Sequence, residues 1–262
     1  MTTAVADVNT EVHIAYWLTR ELDERALERT LGLLSEDERA RHARLAFAHD
    51  RRDFAAAHLL LRRRLSVHGQ RQARDWRFVP GRNGKPALAD HDDDRRRLSF
   101  NLSHARGLVA CVVAHDVDVG IDVERVSGGV DNLDIARRHF RPSEVADVER
   151  CGGAERGARF VELWTLKEAY AKATGDGVLA GLDECAFEFE GPTSLRCELA
   201  DRAPASAWKF ALFMVNDYRL AVAVRDVTQR VNAFRIGNHD GDDDEGGRAR
   251  LLRASGEFTG SR

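Results

Sequence analysis

The chain has 262 residues, 43% hydrophobic and 32% charged, with a formal net charge of −3; this is the profile of a soluble globular protein with a sizeable core in one or two domains. No apolar run approaches the roughly 20 residues of a membrane helix, and the slight acidity argues against nucleic acid as the main partner. The N-terminus, MTTAVADVNTEVH, lacks the basic start and hydrophobic stretch of a secretory signal, and Cys111, Cys151, Cys185 and Cys197 show no CxxC spacing, which reads as reduced structural cysteines in a cytoplasmic protein.

Residues 1–12 read as a leader and HIAYWL (13–18) as an extended segment. Residues 20–47 carry helical periodicity, with Leu22, Leu27, Leu31, Leu34 and Leu45 as core positions. Ser35 followed by Glu38 resembles a capping box, so a new helix is expected from 36. The next helix, about 50–68, sets Phe54, Ala57, Leu61 and Leu65 on one stripe and is read as ending in RRR. WRFVPGRNGKPAL (76–88) predicts a strand, a glycine-rich turn and a second short strand, and HDDDRRR (91–97) a charged loop.

Three strands follow: LSFNLSH (98–104), LVACVVAH (108–115) and VGIDVERV (119–126). Helices are expected at about 131–139, 143–151 and 155–174, then strands in CAFEFE, WKFALFMVN and YRLAVAVRD. The order helices, strands, helices, strands predicts two similar α+β halves, 13–125 and 126–230, joined near 125–130. The segment 236–262 is glycine-rich and acidic, then basic, and reads as a disordered tail. Its DGDDDEGG lacks the spacing of a calcium loop.

Only four of the 40 basic residues are lysines: Lys85, Lys167, Lys172 and Lys209. Where arginine serves as the generic cation, a retained lysine suggests that a compact point charge is wanted. Two of the four lie in LWTLKEAYAKATG (163–175). At helical spacing Leu163, Leu166, Ala169, Tyr170 and Ala173 share one face. Trp164, Lys167, Glu168, Ala171, Lys172 and Gly175 fall on the other half. Glu168 and Lys172 alone would be an ordinary exposed i,i+4 pair. In VGIDVERV, alternation sends Val119, Ile121 and Val123 to the core and Asp122 with Glu124 to the opposite side. Two such carboxylates repel unless a cation or proton lies between them, although a solvated strand face is the simpler reading of this strand alone. Asp122, Glu124 and Glu168 together would suit Mg²⁺, which takes oxygen ligands and substrate phosphate. GRNGK lacks the spacing of a P-loop.

The four pieces G-K-P at 84–86, F-N-x-S-H at 100–104, G-x-D-x-E at 120–124 and W-x-x-K-E-A-x-x-K-x-x-G at 164–175 resemble, in this order, the Sfp-type 4′-phosphopantetheinyl transferases. The similarity spans about residues 13–225. It implies an α+β pseudo-dimer with the active site in the cleft between halves. It also implies Mg²⁺-dependent transfer of the phosphopantetheine arm of coenzyme A to a serine of an apo acyl or peptidyl carrier protein, releasing adenosine 3′,5′-bisphosphate. By motif position the metal ligands are Asp122, Glu124 and Glu168, and Lys172 and Lys167 face the pyrophosphate. On the same resemblance Ser103 and His104 would bind coenzyme phosphate, and Lys85 with Pro86 would line the adenine pocket. Glu144 matches a glutamate proposed as a base, so the serine proton would pass to Glu168 or Glu144. Arg39, Arg41 and Arg44 lie where the family carries basic residues for the 3′-phosphate, and His58 stands where many relatives have arginine. Two halves in one chain imply a monomer. Two other readings remain: another Mg²⁺-dependent phosphate enzyme, such as a nucleotide hydrolase, and a non-catalytic carrier-binding relative.

Overall fold

A computed structural model describes residues 10–89, 97–126, 132–175, 177, 182–200, 204–227, 231–238 and 249–255. The strand LVACVVAH is apolar throughout because both its faces are covered. As β5 (Leu108–His115) it runs antiparallel to β1 (Thr10–Leu18) and β4 (Leu98–Ala105). A parallel strand, β11 (Val231–Gly237), completes the sheet β11-β1-β5-β4. One face is covered by α3 (Ala48–Gly69), whose Ala56, Leu60 and Leu65 pack on Trp17, Val109 and Val113. Helix α1 (Glu24–Leu31) is capped by Asp23, and α2 (Glu36–Arg44) starts with the expected Ser35–Glu38 capping box. Helix α3 does not end at RRR. Arg62 is fully buried within it and donates to the Ala73 and Trp76 carbonyls, so the helix continues to Gly69.

The second sheet has the order β6-β10-β9-β12-β8-β7. Its strands are β6 (Asp118–Arg125), β7 (Cys185–Glu190), β8 (Ser194–Leu199), β9 (Trp208–Val215), β10 (Tyr218–Arg225) and β12 (Ala249–Ala254). Its inner face meets the first sheet through Ile121, Val123, Phe213, Leu220 and Val222, which pack with Ile14, Tyr16 and Val112. Helix α6 (Gly153–Thr174) covers the outer face with the predicted stripe Leu163, Leu166, Ala169, Tyr170 and Ala173. Helices α4 (Leu133–His139) and α5 (Pro142–Arg150) precede it. The layers therefore run α3, sheet, sheet, α6, an α+β build with one long outer helix on each sheet.

At the seam, β4 and β6 lie side by side without a backbone ladder. Side chains of β4 replace it: Asn101 Oδ1 accepts from the Ile121 amide at 2.9 Å and Ser103 Oγ from the Val123 amide at 3.3 Å. A hairpin of β2 (Phe78–Pro80) and β3 (Pro86–Leu88) turns through Asn83 and Gly84, both at positive φ.

Several boundaries differ from those the sequence suggests. Strand β6 pairs with β10, so it belongs to the second sheet and the division at 125 moves ahead of it. The first sheet is closed by β11, from beyond residue 230. Within 236–262, β12 is a strand paired with β9, so the tail expectation fails there; 239–248 and 256–262, with the DGDDDEGG motif, lie outside the described residues. The leader expectation fails at residues 10–12, which open β1 with Val12 fully buried; residues 1–9 are outside. The charged loop is described only at Arg97, and most of the expected junction, 127–131, is likewise outside. Among the described residues no helix is long and apolar enough to cross a membrane.

Candidate active site

On β6 the alternation is as expected: Val119, Ile121 and Val123 are buried between the sheets, while Gly120, Asp122 and Glu124 face α6. Gly120 is what lets the helix lie directly on the strand. A Cβ there would sit 2.1 Å from the Ala169 carbonyl oxygen and 2.4 Å from the Ala173 amide nitrogen. Backbone atoms cannot yield to such an overlap as a flexible side chain could. Gly120→Ala is therefore expected to lower stability by about 1–3 kcal/mol and to reduce turnover of the remaining folded protein. Thermal unfolding and kinetics measured well below the variant's Tm separate the two effects.

With the helix this close, the acids of β6 meet the polar residues of α6 and β4. Asp122 is buried rather than half-exposed. Lys172 Nζ lies 2.5 Å from Asp122 Oδ1 and 3.9 Å from Glu168 Oε2, and it donates to Ser103 Oγ at 3.0 Å. Ser103 in turn donates to Asp122 Oδ1 at 3.0 Å. With the Val123 amide also donating to it, the hydroxyl has its one donor and both acceptor sites occupied. Asp122 Oδ2, in contrast, is buried without a hydrogen-bond partner. Such an oxygen is costly to keep dry unless a cation or donor completes it.

The other two carboxyls carry the strain of shared negative charge. Burial and the neighbouring Asp122 push Glu124 up to about 7, against the pull of Lys172 and the polar edge of Trp164. Burial, Asp122 and Glu124 push Glu168 up to about 7 as well, again opposed by Lys172 and Trp164. Each carboxyl thus holds its proton more tightly folded than unfolded. Ionising it costs stability, little below the ordinary value of 4.5 and increasingly as pH rises through 7. In metal-free protein, Glu168→Gln is expected to gain stability relative to the parent between about pH 5 and about pH 8. A Tm difference that does not change with pH would contradict this.

Among the described residues no three His, Cys, Asp or Glu side chains converge closely enough to grip an ion unaided. The ammonium of Lys172 lies among the acids instead.

A cleft of about 220 Å³ adjoins this cluster, lined by Gly84, Lys85, Pro86, Asn101, Leu102 and Lys172 among others. Lys85 fixes its wall by donating to the Lys172 carbonyl at 2.7 Å and the Val119 carbonyl at 3.0 Å, while Asn83 donates to the Gly175 carbonyl. Burial lowers the Lys85 pKa.

Some expected site residues are not brought to the cluster. Lys167 does not share the exposed side of α6: it is fully buried, 2.8 Å from Glu144 Oε2, and donates to the carbonyls of Leu182 and Cys185. Glu144 is buried with it, and its two oxygens also accept from the Phe187 and Arg141 amides. Both residues are committed to the packing behind α6. His104 is exposed on the strand face opposite Ser103. Arg41 and Arg44 are exposed in the last turn of α2, and Arg39 donates to the Leu34 carbonyl. None of the three is bonded to the cluster around Asp122. His58 lies 3.0 Å from Glu38, which also pairs with Arg62 at 2.6 Å. Burial would raise the Glu38 carboxyl, but these partners and the Ser35 amide hold it at about 2.

Sequence reasoning missed Asn101 and the seam role of Ser103. The signal was present as two small polar residues at alternate positions of FNLSH, both on the side that meets β6.

Comparison with known proteins falls on the same division. The family model of the 4′-phosphopantetheinyl transferase superfamily matches residues 118–223, and that of the 4′-phosphopantetheinyl transferase N-terminal region matches 21–116. The two meet just ahead of β6, where the second sheet begins. The chain is 34% identical to 4′-phosphopantetheinyl transferase HetI of Nostoc sp., covering 82% of this chain and 86% of the relative. It is 28% identical to 4′-phosphopantetheinyl transferase Sfp of Bacillus subtilis, over 71% of this chain and 80% of that protein. It is 27% identical to a phosphopantetheinyl transferase of Thraustochytrium sp., over 90% and 86%. Two matched regions that adjoin at β6, and a relative 34% identical and aligned over most of both chains, establish that this protein belongs to the 4′-phosphopantetheinyl transferase superfamily and is an enzyme of that type.

Proposed function

We propose that this chain transfers the 4′-phosphopantetheine arm of coenzyme A to a serine hydroxyl of an apo acyl or peptidyl carrier protein, releasing adenosine 3′,5′-bisphosphate. The observation that carries the reading is the Asp122–Ser103–Lys172 cluster, with its unpartnered Asp122 Oδ2, opening beside the cleft walled by Lys85 and Pro86.

The residues fit a divalent cation. They offer only oxygen donors, one buried carboxylate oxygen lacks a partner, and burial beside Asp122 raises two more carboxyls to about 7. Asp122, Glu124 and Glu168 would hold Mg²⁺, which when bound supplies charge neutralisation to pyrophosphate oxygens.

The chain's own groups divide the remaining work. The β2–β3 hairpin, pinned by Lys85, forms one wall for the coenzyme. Lys172 presents an ammonium for the developing charge on the pyrophosphate oxygens. The bond that forms joins the carrier serine oxygen to the β-phosphorus, and the bond that breaks frees the bisphosphate. Glu168, a carboxylate facing the cluster 3.9 Å from Lys172, is placed to take the serine proton. Glu144 is not, because its oxygens are already bonded to Lys167 and two amides. The four free cysteines suit a cytoplasmic setting, and two packed sheets with their outer helices in one chain suit a monomer.

Intact-mass measurement of several apo carrier proteins, incubated with the enzyme, coenzyme A and Mg²⁺, tests the reading. The expected result is a mass gain of one phosphopantetheine arm. Bisphosphate release without an acceptor would favour a hydrolase, and carrier binding without any mass gain a non-catalytic relative.

A further inference from the structure

Lys172 has one task in the reaction, meeting charge on the pyrophosphate, yet its ammonium is turned elsewhere. It lies 2.5 Å from Asp122 Oδ1 and 3.9 Å from Glu168 Oε2, and it donates to Ser103 Oγ at 3.0 Å. A positive charge of the chain's own therefore stands among the acids of β6 and α6.

Its fit there is partial. An ammonium carries three N–H groups, and the cluster gives it two hydrogen-bond partners, Asp122 and Ser103. Asp122 Oδ2 remains buried and without a partner. Lys167 shows the permanent arrangement: it is fully buried, paired with Glu144 and bonded to two carbonyls. The Lys172 side chain is 22% exposed and lines the cleft of about 220 Å³ beside Lys85 and Pro86. Its main chain is pinned, because Lys85 donates to the Lys172 carbonyl at 2.7 Å. The side chain can swing towards the cleft while the helix stays in place. If it leaves, Ser103 still donates to Asp122 Oδ1 and still accepts from the Val123 amide.

We propose that Lys172 is a resident counter-ion that yields its place to the divalent cation. In metal-free protein its ammonium holds Asp122 and Ser103; in metal-loaded protein it is released into the cleft walled by Lys85 and Pro86. Coenzyme phosphate then finds a free ammonium only when the acids already have their metal, so one lysine couples the two binding events. The proposal rests on the metal reading given above.

The first test is Mg²⁺ binding to the full-length protein by calorimetry, with Lys172→Met as the probe, because methionine keeps an unbranched chain and removes the charge. Mg²⁺ affinity is expected to rise at least about tenfold, since an opposite charge beside a carboxylate changes its affinity for a competing proton by about 10–1,000-fold. A lysine that only braced the fold, or that helped to hold the metal, would leave the affinity unchanged or lower it. The second test uses the parent protein, so it decides even if the variant does not fold. Trace acetylation with acetic anhydride, mapped by mass spectrometry over the four lysines, is expected to label Lys172 faster at saturating Mg²⁺, with Lys209 on β9 as the internal reference. Unchanged or lowered affinity in Lys172→Met, or a Lys172 labelling rate that Mg²⁺ does not raise, overturns the proposal. Absence of Mg²⁺ binding in the parent protein would instead remove the metal reading on which it stands, so the two failures are distinct.

Discussion

Lys167→Met is expected to destabilise the protein by about 3–5 kcal/mol, the cost of leaving a buried ion-pair partner alone. The side chain is inaccessible to solvent, and its ammonium meets Glu144, two carbonyls and the face of Phe140. These contacts join three pieces of chain: α5 through Glu144, α6 through Lys167 itself, and the turn into β7 through Leu182 and Cys185. Without the ammonium, Glu144 keeps its two amide donors but loses its counter-charge, and two carbonyls lose their donor. Chemical denaturation would measure the loss. The double variant Lys167→Met, Glu144→Gln is expected to recover part of it, because the amide oxygen still accepts from a backbone N–H and no buried charge remains. A loss under about 1 kcal/mol, accompanied by weakened coenzyme A binding, would return Lys167 to the phosphate site.

The largest effect on turnover is expected at the cluster itself. Asp122→Ala should bring carrier modification down to background, and Lys172→Ala should lower kcat by about 10²–10³-fold, the range for removing one donor to developing negative charge. Folding should survive Asp122→Ala, since Lys172 is partly exposed and can be solvated once Asp122 is gone, whereas Lys172→Ala leaves the buried Asp122 without its cation and should also lower Tm. Steady-state kinetics with coenzyme A and carrier, alongside Tm values, would decide. A normal kcat in Lys172→Ala, with only a raised KM, would confine the lysine to ground-state binding.

The four lysines show how far composition alone can be read. Lys85, Lys167, Lys172 and Lys209 are each tied to carbonyls or carboxylates in specific, at least partly buried positions. A compact, many-sided donor fits such places where a planar guanidinium would not. What composition could not say is which way each lysine points. Lys167 and Glu168 are adjacent on α6, so they differ by about 100° around the helix axis. That turn puts one in the core and the other at the cluster, and only packing decides it. Glu144 was picked out only through the family resemblance, as a candidate base, and not as the partner of that buried lysine.

The strands were legible where hydrophobic alternation or a continuous apolar run marked them, as in β5, β6, β9 and β10. Strands β8, β11 and β12 were missed. SLRCEL and ARLLRA have weak or mixed patterns, and their place in the sheet comes from long-range pairing that no local window contains. The same holds for the division between halves. Sequence spacing suggested a joint after GIDVE, but the register of β6 with β10 carries that strand into the second sheet.

The central claim is that β6 and α6 bring their acids to one cation. Mn²⁺ as a spin-active substitute for Mg²⁺ tests it most directly, with free ion followed by electron paramagnetic resonance. The account predicts a tight site in the parent protein that is lost in Asp122→Asn and weakened in Glu168→Gln. Undiminished Mn²⁺ binding in Asp122→Asn, in a variant that still folds, would contradict it.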